Sequence, residues 1–155
     1  MKIYSFIIAA FTLLVWTSCQ PKHLRINTEA SLHPGDQLPE NPLLMHPFTT
    51  TIYPKDSLMS TLYGNDTAFQ YALKNTDGHY PNGSILYEVT WREQPDSQWF
   101  GANIPQKIVR VERLQFQNNQ SHYSKYEGIP LTPVADSVDN PKTKIIVAQR
   151  MAMIP

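Results

Sequence analysis

Ser84-Ile-Leu-Tyr-Glu-Val-Thr-Trp91 is the stretch whose reading decides the fold, and Ile108-Val-Arg-Val-Glu-Arg-Leu-Gln-Phe116 is its companion. In the first, Ile85, Tyr87, Val89 and Trp91 alternate with Leu86, Glu88 and Thr90. A period of two places alternate side chains on opposite faces, so the pattern predicts a strand that is half-buried. The second stretch predicts another long strand. Between them, the polar run Glu93–Ser97 predicts a turn, and Trp99-Phe-Gly-Ala102 is an aromatic segment leading to Ile104-Pro105. Downstream, Asn118-Asn-Gln-Ser121 predicts a turn and His122–Tyr126 a third strand closing at Gly128.

Upstream of Ser84 the period changes. Asn65 or Asp66 is a suitable N-cap for Thr67-Ala-Phe-Gln-Tyr-Ala-Leu-Lys74. Ala68, Ala72 and Leu73 fall at helical spacing, and Lys74 complements the dipole at the C-terminal end. Asn75–Gly78 ends this helix, and His79-Tyr-Pro-Asn-Gly83 predicts a turn. Phe48–Tyr53 predicts a short strand stopped by Pro54. Residues 130–143 are polar and proline-rich, and the apolar tail 144–154 fits either a strand or a short helix. Residues 20–46 are punctuated by Pro21, Pro34, Gly35, Pro39 and Pro42 and show no hydrophobic period. They read as a flexible tether.

The N-terminal end carries a separate signal. Lys2 precedes an apolar run from Ile3 to Trp16, then Thr17, Ser18 and Cys19, the single cysteine of the chain. Charge, short apolar run and small residues are the layout of a secretory signal. A cysteine at the cleavage point resembles a bacterial lipobox, with Trp16 standing where leucine is usual. The resemblance implies a signal peptide over 1–18, lipidation of Cys19, and a protein anchored in the bacterial cell envelope facing periplasm or exterior. The membrane is then a partner through two acyl chains at Cys19. An ordinary secreted protein and a retained N-terminal helix are the alternatives.

Composition excludes several function classes. Thirteen basic residues balance thirteen acidic ones, with no basic patch to suggest nucleic acid. A single cysteine permits no intramolecular disulfide, no CxxC redox pair and no cysteine-ligated metal centre. No HxH or HExxH spacing supports zinc, and no GxSxG, phosphate loop or dinucleotide fingerprint is present.

Taken together, Leu62-Tyr-Gly-Asn-Asp66 with Ala68, Tyr80-Pro-Asn-Gly83, Val89-Thr-Trp91, Trp99-Phe-Gly-Ala102, Ile104-Pro105 and Val111-Glu112 resemble the cytochrome P460 and cytochrome c′-beta family. The resemblance runs from Ser60 to Phe116. It implies an α+β fold, a curved antiparallel sheet with helices packed against it, in a domain spanning 47–155 after a tether over 19–46. Family members carry a c-type haem on a CxxCH motif whose histidine is the axial ligand. P460 members crosslink a lysine to the haem and oxidise hydroxylamine; c′-beta members bind gases such as NO. This chain has no CxxCH, which excludes covalent c-type haem, and no lysine on the Ser84–Trp91 strand. Hydroxylamine oxidation is therefore not supported by its residues.

Three functions stay open on these residues. One is a small-ligand binding module without covalent haem. A second is a non-covalent haem protein for redox or gas binding, with His79 or His122 as axial ligand. Met151 and Met153 are weaker ligand candidates for it. A third is a ligand-free envelope interaction protein. His23, His33 and His46 fall in or beside the expected tether. Tyr80, Tyr87, Trp91, Trp99 and Phe100 are candidate pocket-lining residues, with ordinary core packing as the alternative. Asp66 and Glu88 are the candidate paired acids, more simply explained as a helix cap and a polar strand position.

Overall fold

The computed structural model describes residues 27–135 and 141–152. Its centre is the strand expected at 84–91, which runs on to Pro95. The strands are β1 (His46–Tyr53), β2 (Leu58–Gly64), β3 (Ile85–Pro95), β4 (Asn103–Gln117), β5 (Gln120–Glu127) and β6 (Thr132–Val134). They form one antiparallel sheet in the order β1-β2-β3-β4-β5-β6. Two short α-helices, α1 (Asp66–Ala72) and α2 (Lys142–Ala148), and two 3₁₀ turns, Thr28–Ala30 and Pro42–Leu44, accompany the sheet, so strand dominates helix among the described residues. Among the described residues no helix is long and apolar enough to cross a membrane.

Residues 93–95, expected as a turn, instead pair with Asn103–Pro105, and the reversal falls at 96–102. The turn expected at Asn118 is a tight one: Gln117 pairs with Gln120, and Asn118 and Asn119 take φ of 52° and 59°. Two residues at positive φ match the twist of the flanking strands, and asparagine tolerates that conformation better than most residues. The tail resolves as helix through Ala148. Val147 and Ile146 face the sheet, and Ala152 N–H donates to Phe48 O at 2.8 Å.

Strand β3 is buried on both faces. Tyr87, Val89 and Trp91 join Ile108, Val111, Tyr126 and Leu131 in one core. Leu86 joins Phe48, Leu62 and Leu114 in a second, which Ala68 of α1 and Ile146 of α2 cover. Each such side chain contributes about 1.5–3 kcal/mol by leaving water. Gly64 belongs to this second core by necessity. A Cβ there would lie 2.3 Å from the Phe48 ring, so only glycine lets the ring lie across β2.

The first core is closed by the stretch that composition reads as a tether. Ala30, Leu32, Leu38, Leu43 and Met45 pack on it, and Pro42 is buried. Asn27 Nδ2 donates to Pro105 O at 2.6 Å, Trp91 Nε1 donates to Ala30 O at 2.9 Å, and Gln37 N donates to Leu131 O at 2.9 Å. Arg113 grips Glu40 through two bonds, Nε to Oε2 at 3.0 Å and Nη2 to Oε1 at 2.9 Å, and Tyr87 OH donates to the same carboxylate. Burial works to raise the Glu40 pKa, but the Arg113 and Tyr87 hydrogen bonds and the Arg113 charge outweigh it and hold it low. Burial, reinforced by that carboxylate, pushes the Tyr87 hydroxyl well above its ordinary value. The expected flexible tether over 19–46 is thus corrected within 27–46, which is a docked layer. Its apolar residues are irregularly spaced because the layer is coil with two single 3₁₀ turns. Residues 1–26, with the expected signal peptide, Cys19 and His23, lie outside the described residues, as do 136–140 and 153–155, the latter including Met153.

Candidate functional site: a cleft between the two helices

Asn65 sets the position of α1. Its Oδ1 accepts from Ala68 N at 3.0 Å as an N-cap and from Ile85 N at 3.1 Å. Its Nδ2 donates to Gly83 O at 2.8 Å. One side chain therefore ties the helix start to the start of β3. The chain leaving α1 then returns close against α2 at Gly78, where φ is +74° and a Cβ would come within 3.0 Å of Val147 O. A larger residue would be strained there on both counts.

This approach leaves a cleft of about 300 Å³ between the C-terminal ends of α1 and α2. Tyr71, Lys74, Tyr80, Val147, Gln149, Arg150 and Met151 are among its lining. Tyr80 forms an aromatic wall, 5.5 Å from the Tyr71 ring and 5.4 Å from that of Phe116. Burial raises the pKa of Tyr80, with the neighbouring Tyr71 and Asp77 adding to it. Tyr71 OH donates to Asp77 Oδ1 at 2.8 Å, a bond that raises the Tyr71 pKa. Asp77 is held low chiefly by the His79 N–H. Both tyrosines are therefore neutral donors at physiological pH. Lys74 and Arg150 are exposed and have no carboxylate partner among the described residues.

Behind the cleft lies a buried polar cluster. Gln149 Nε2 donates to Glu88 Oε1 at 2.9 Å, which also accepts from Ser60 Oγ at 3.0 Å. Glu88 sits directly opposite Glu112 in the β3–β4 register, and both are almost fully buried. Glu112 accepts from Arg110 Nε at 2.9 Å and from Tyr123 OH at 2.6 Å. Glu88 Oε2 and Thr90 Oγ1 are buried with no hydrogen-bond partner among the described residues. The acid paired with Glu88 is thus Glu112. Asp66, considered as its partner from sequence, is 94 % exposed and pairs with His46 Nε2 at 2.7 Å.

The residues singled out from sequence do not come together. Tyr87 and Trp91 are core residues under the N-terminal layer. Tyr80 packs on the other face of the sheet, against the second core. Trp99 and Phe100 stand exposed in the β3–β4 loop. Of the five, Tyr80 alone lines the cleft. His79 is 86 % exposed beside Asp77, His122 is exposed on β5, and neither lines the cleft. Met151 does. No group of three His, Cys, Asp or Glu converges among the described residues. Sequence reasoning did not find Tyr71, Gln149 or Arg150 as site residues, and read Lys74 only as a complement to the helix dipole. The cleft forms where two segments distant in sequence meet, and the one local signal for it is Gly78.

No protein-family model matches the chain, and no curated protein matches its sequence.

Proposed function

We propose that the protein is a lipid-anchored envelope protein whose domain binds a small organic anion with an apolar body, in the cleft between α1 and α2. The observation that carries this reading is the pairing of two cations without a carboxylate partner among the described residues, Lys74 and Arg150, with an aromatic and aliphatic wall of Tyr71, Tyr80, Val147 and Met151. A cleft lined mainly by apolar groups, with a few polar ones to fix orientation, is the common form of a small-molecule site. The domain is of the α+β kind that the resemblance to the P460 and c′-beta family implies, without covalent haem. For a non-covalent haem, the histidine candidates His79 and His122 lie outside this cleft, and Met151, the weaker candidate, lines it. The protein is read as a binding module on the strength of this cleft.

Native mass spectrometry of the protein purified from its own membranes tests the ligand reading. The expected result is a non-covalent small anion that is absent after Lys74→Glu with Arg150→Glu. Losing two charge-assisted contacts should weaken binding at least tenfold, a change of about 1.4 kcal/mol. An adduct that survives both charge reversals would show that the ligand lies elsewhere. The anchor is tested separately: Cys19→Ala should move the protein from the membrane to the soluble fraction, and retention on the membrane would contradict lipidation at Cys19.

A further inference from the structure

We infer that the β3–β4 loop, through Trp99 and Phe100, inserts into the surface of the lipid bilayer that carries the anchor. Trp99 is 70 % exposed and Phe100 is fully so, although large aromatic side chains are normally withdrawn from water. The loop holding them is ordered by its own bonds. Asp96 N donates to Ala102 O at 2.8 Å, Ala102 N to Trp99 O at 3.1 Å, and Gln98 N to Asp96 Oδ1 at 2.7 Å. Gly101 completes the turn at φ +80°. The aromatics are therefore presented at a built tip. Tryptophan at such a place suits the bilayer interface, where an apolar ring and an indole N–H are both accommodated.

The occupant is fixed by where the N-terminal chain leaves the domain, and this part of the argument rests on the lipid anchor proposed above. Asn27 is bonded to Pro105, two residues beyond the start of β4 and so at the same end of the sheet as the tip. Eight residue steps separate Cys19 from Asn27. At full extension they span at most about 26–29 Å. Phe100 lies five residues from Pro105, which limits their separation to at most about 17–18 Å. An anchor at Cys19 thus keeps the tip within reach of the surface, and this end of the domain faces the lipid. Lys22 and Arg25, within those eight steps, favour an anionic leaflet. Asp96 is the one carboxylate in the loop, and its Oδ1 is engaged by Gln98 N–H.

The full chain, purified with its anchor and reconstituted in vesicles of phosphatidylethanolamine and phosphatidylglycerol, tests this by tryptophan emission. Trp91 is buried, so in the processed chain Trp99 alone reports on the surroundings. Vesicles with brominated acyl chains are expected to remove the Trp99 share of the emission, and Trp99→Phe to abolish that quenching while the protein still sediments with the vesicles. Vesicle-bound protein whose Trp99 is unquenched by bromolipid and open to acrylamide would overturn the tip while leaving the anchor intact. Unquenched Trp99 that is shielded from acrylamide would indicate protein contact and would also overturn it. Failure of the processed chain to sediment would instead remove the anchor and the reach argument with it.

Discussion

Trp91→Ala is expected to destabilise the domain by about 3–5 kcal/mol, the range for removing a large aromatic from a packed core. Trp91 is 4 % exposed, meets the Tyr63 ring edge-on at 6.4 Å, and donates its indole N–H to Ala30 O. Truncation leaves a cavity between sheet and N-terminal layer and an orphaned carbonyl within it. For a domain of this size the loss corresponds to a fall in Tm of the order of 10 °C or more. Gln94→Ala, three residues along the same strand and half-buried, is expected to cost under about 1 kcal/mol. Equal losses in the two variants, measured by denaturant unfolding, would mean that Trp91 does not hold the layer to the sheet.

Glu40→Ala is the second large effect. It removes the carboxylate that pairs with Arg113, a residue only 8 % exposed, and leaves a nearly buried guanidinium with the neutral Gln115 Oε1 in place of a counter-charge. Breaking a fully buried pair costs about 3–5 kcal/mol; Glu40 keeps about a third of its side-chain exposure, so about 2–3 kcal/mol is expected. Replacing both partners by apolar residues, Glu40→Leu with Arg113→Met, should cost less than either single loss. The pH dependence has a definite sign. Because the folded state lowers the Glu40 pKa, its contribution is present above the usual carboxylate value of 4.5 and is lost as pH falls through the folded value. Wild type should therefore lose more stability than Glu40→Gln between neutral and acid pH. Parallel curves would show that Glu40 is not ion-paired.

Much of the sheet was legible in the sequence, and the reasons for the rest are physical. Strands β1, β3, β4 and β5 and helix α1 announce themselves through alternation, turn residues and the Asn65 cap. Strand β2 does not, because Leu58-Met-Ser-Thr-Leu-Tyr-Gly64 lies between two layers and carries residues of mixed polarity on both faces. The docked layer at 27–46 was hidden for a related reason. Coil that packs by single apolar residues has no period, and its proline content mimics that of a linker. Glu88 reads as the polar side of a half-buried strand, yet it is buried, because its face is covered by helices, with Ser60 and Gln149 both donating to its Oε1. The cleft depends on Gly78 meeting Val147, a contact between segments about seventy residues apart that no local pattern encodes.

Backbone-amide NMR during titration with benzoate, a minimal organic anion with an apolar body, tests the ligand reading most directly. Saturable shifts should concentrate at Leu73–Gly78 and Val147–Met151 and disappear in the variant combining Lys74→Glu and Arg150→Glu. Shifts that fall elsewhere, or that persist unchanged in that variant, would contradict the assignment of the cleft as an anion-binding site.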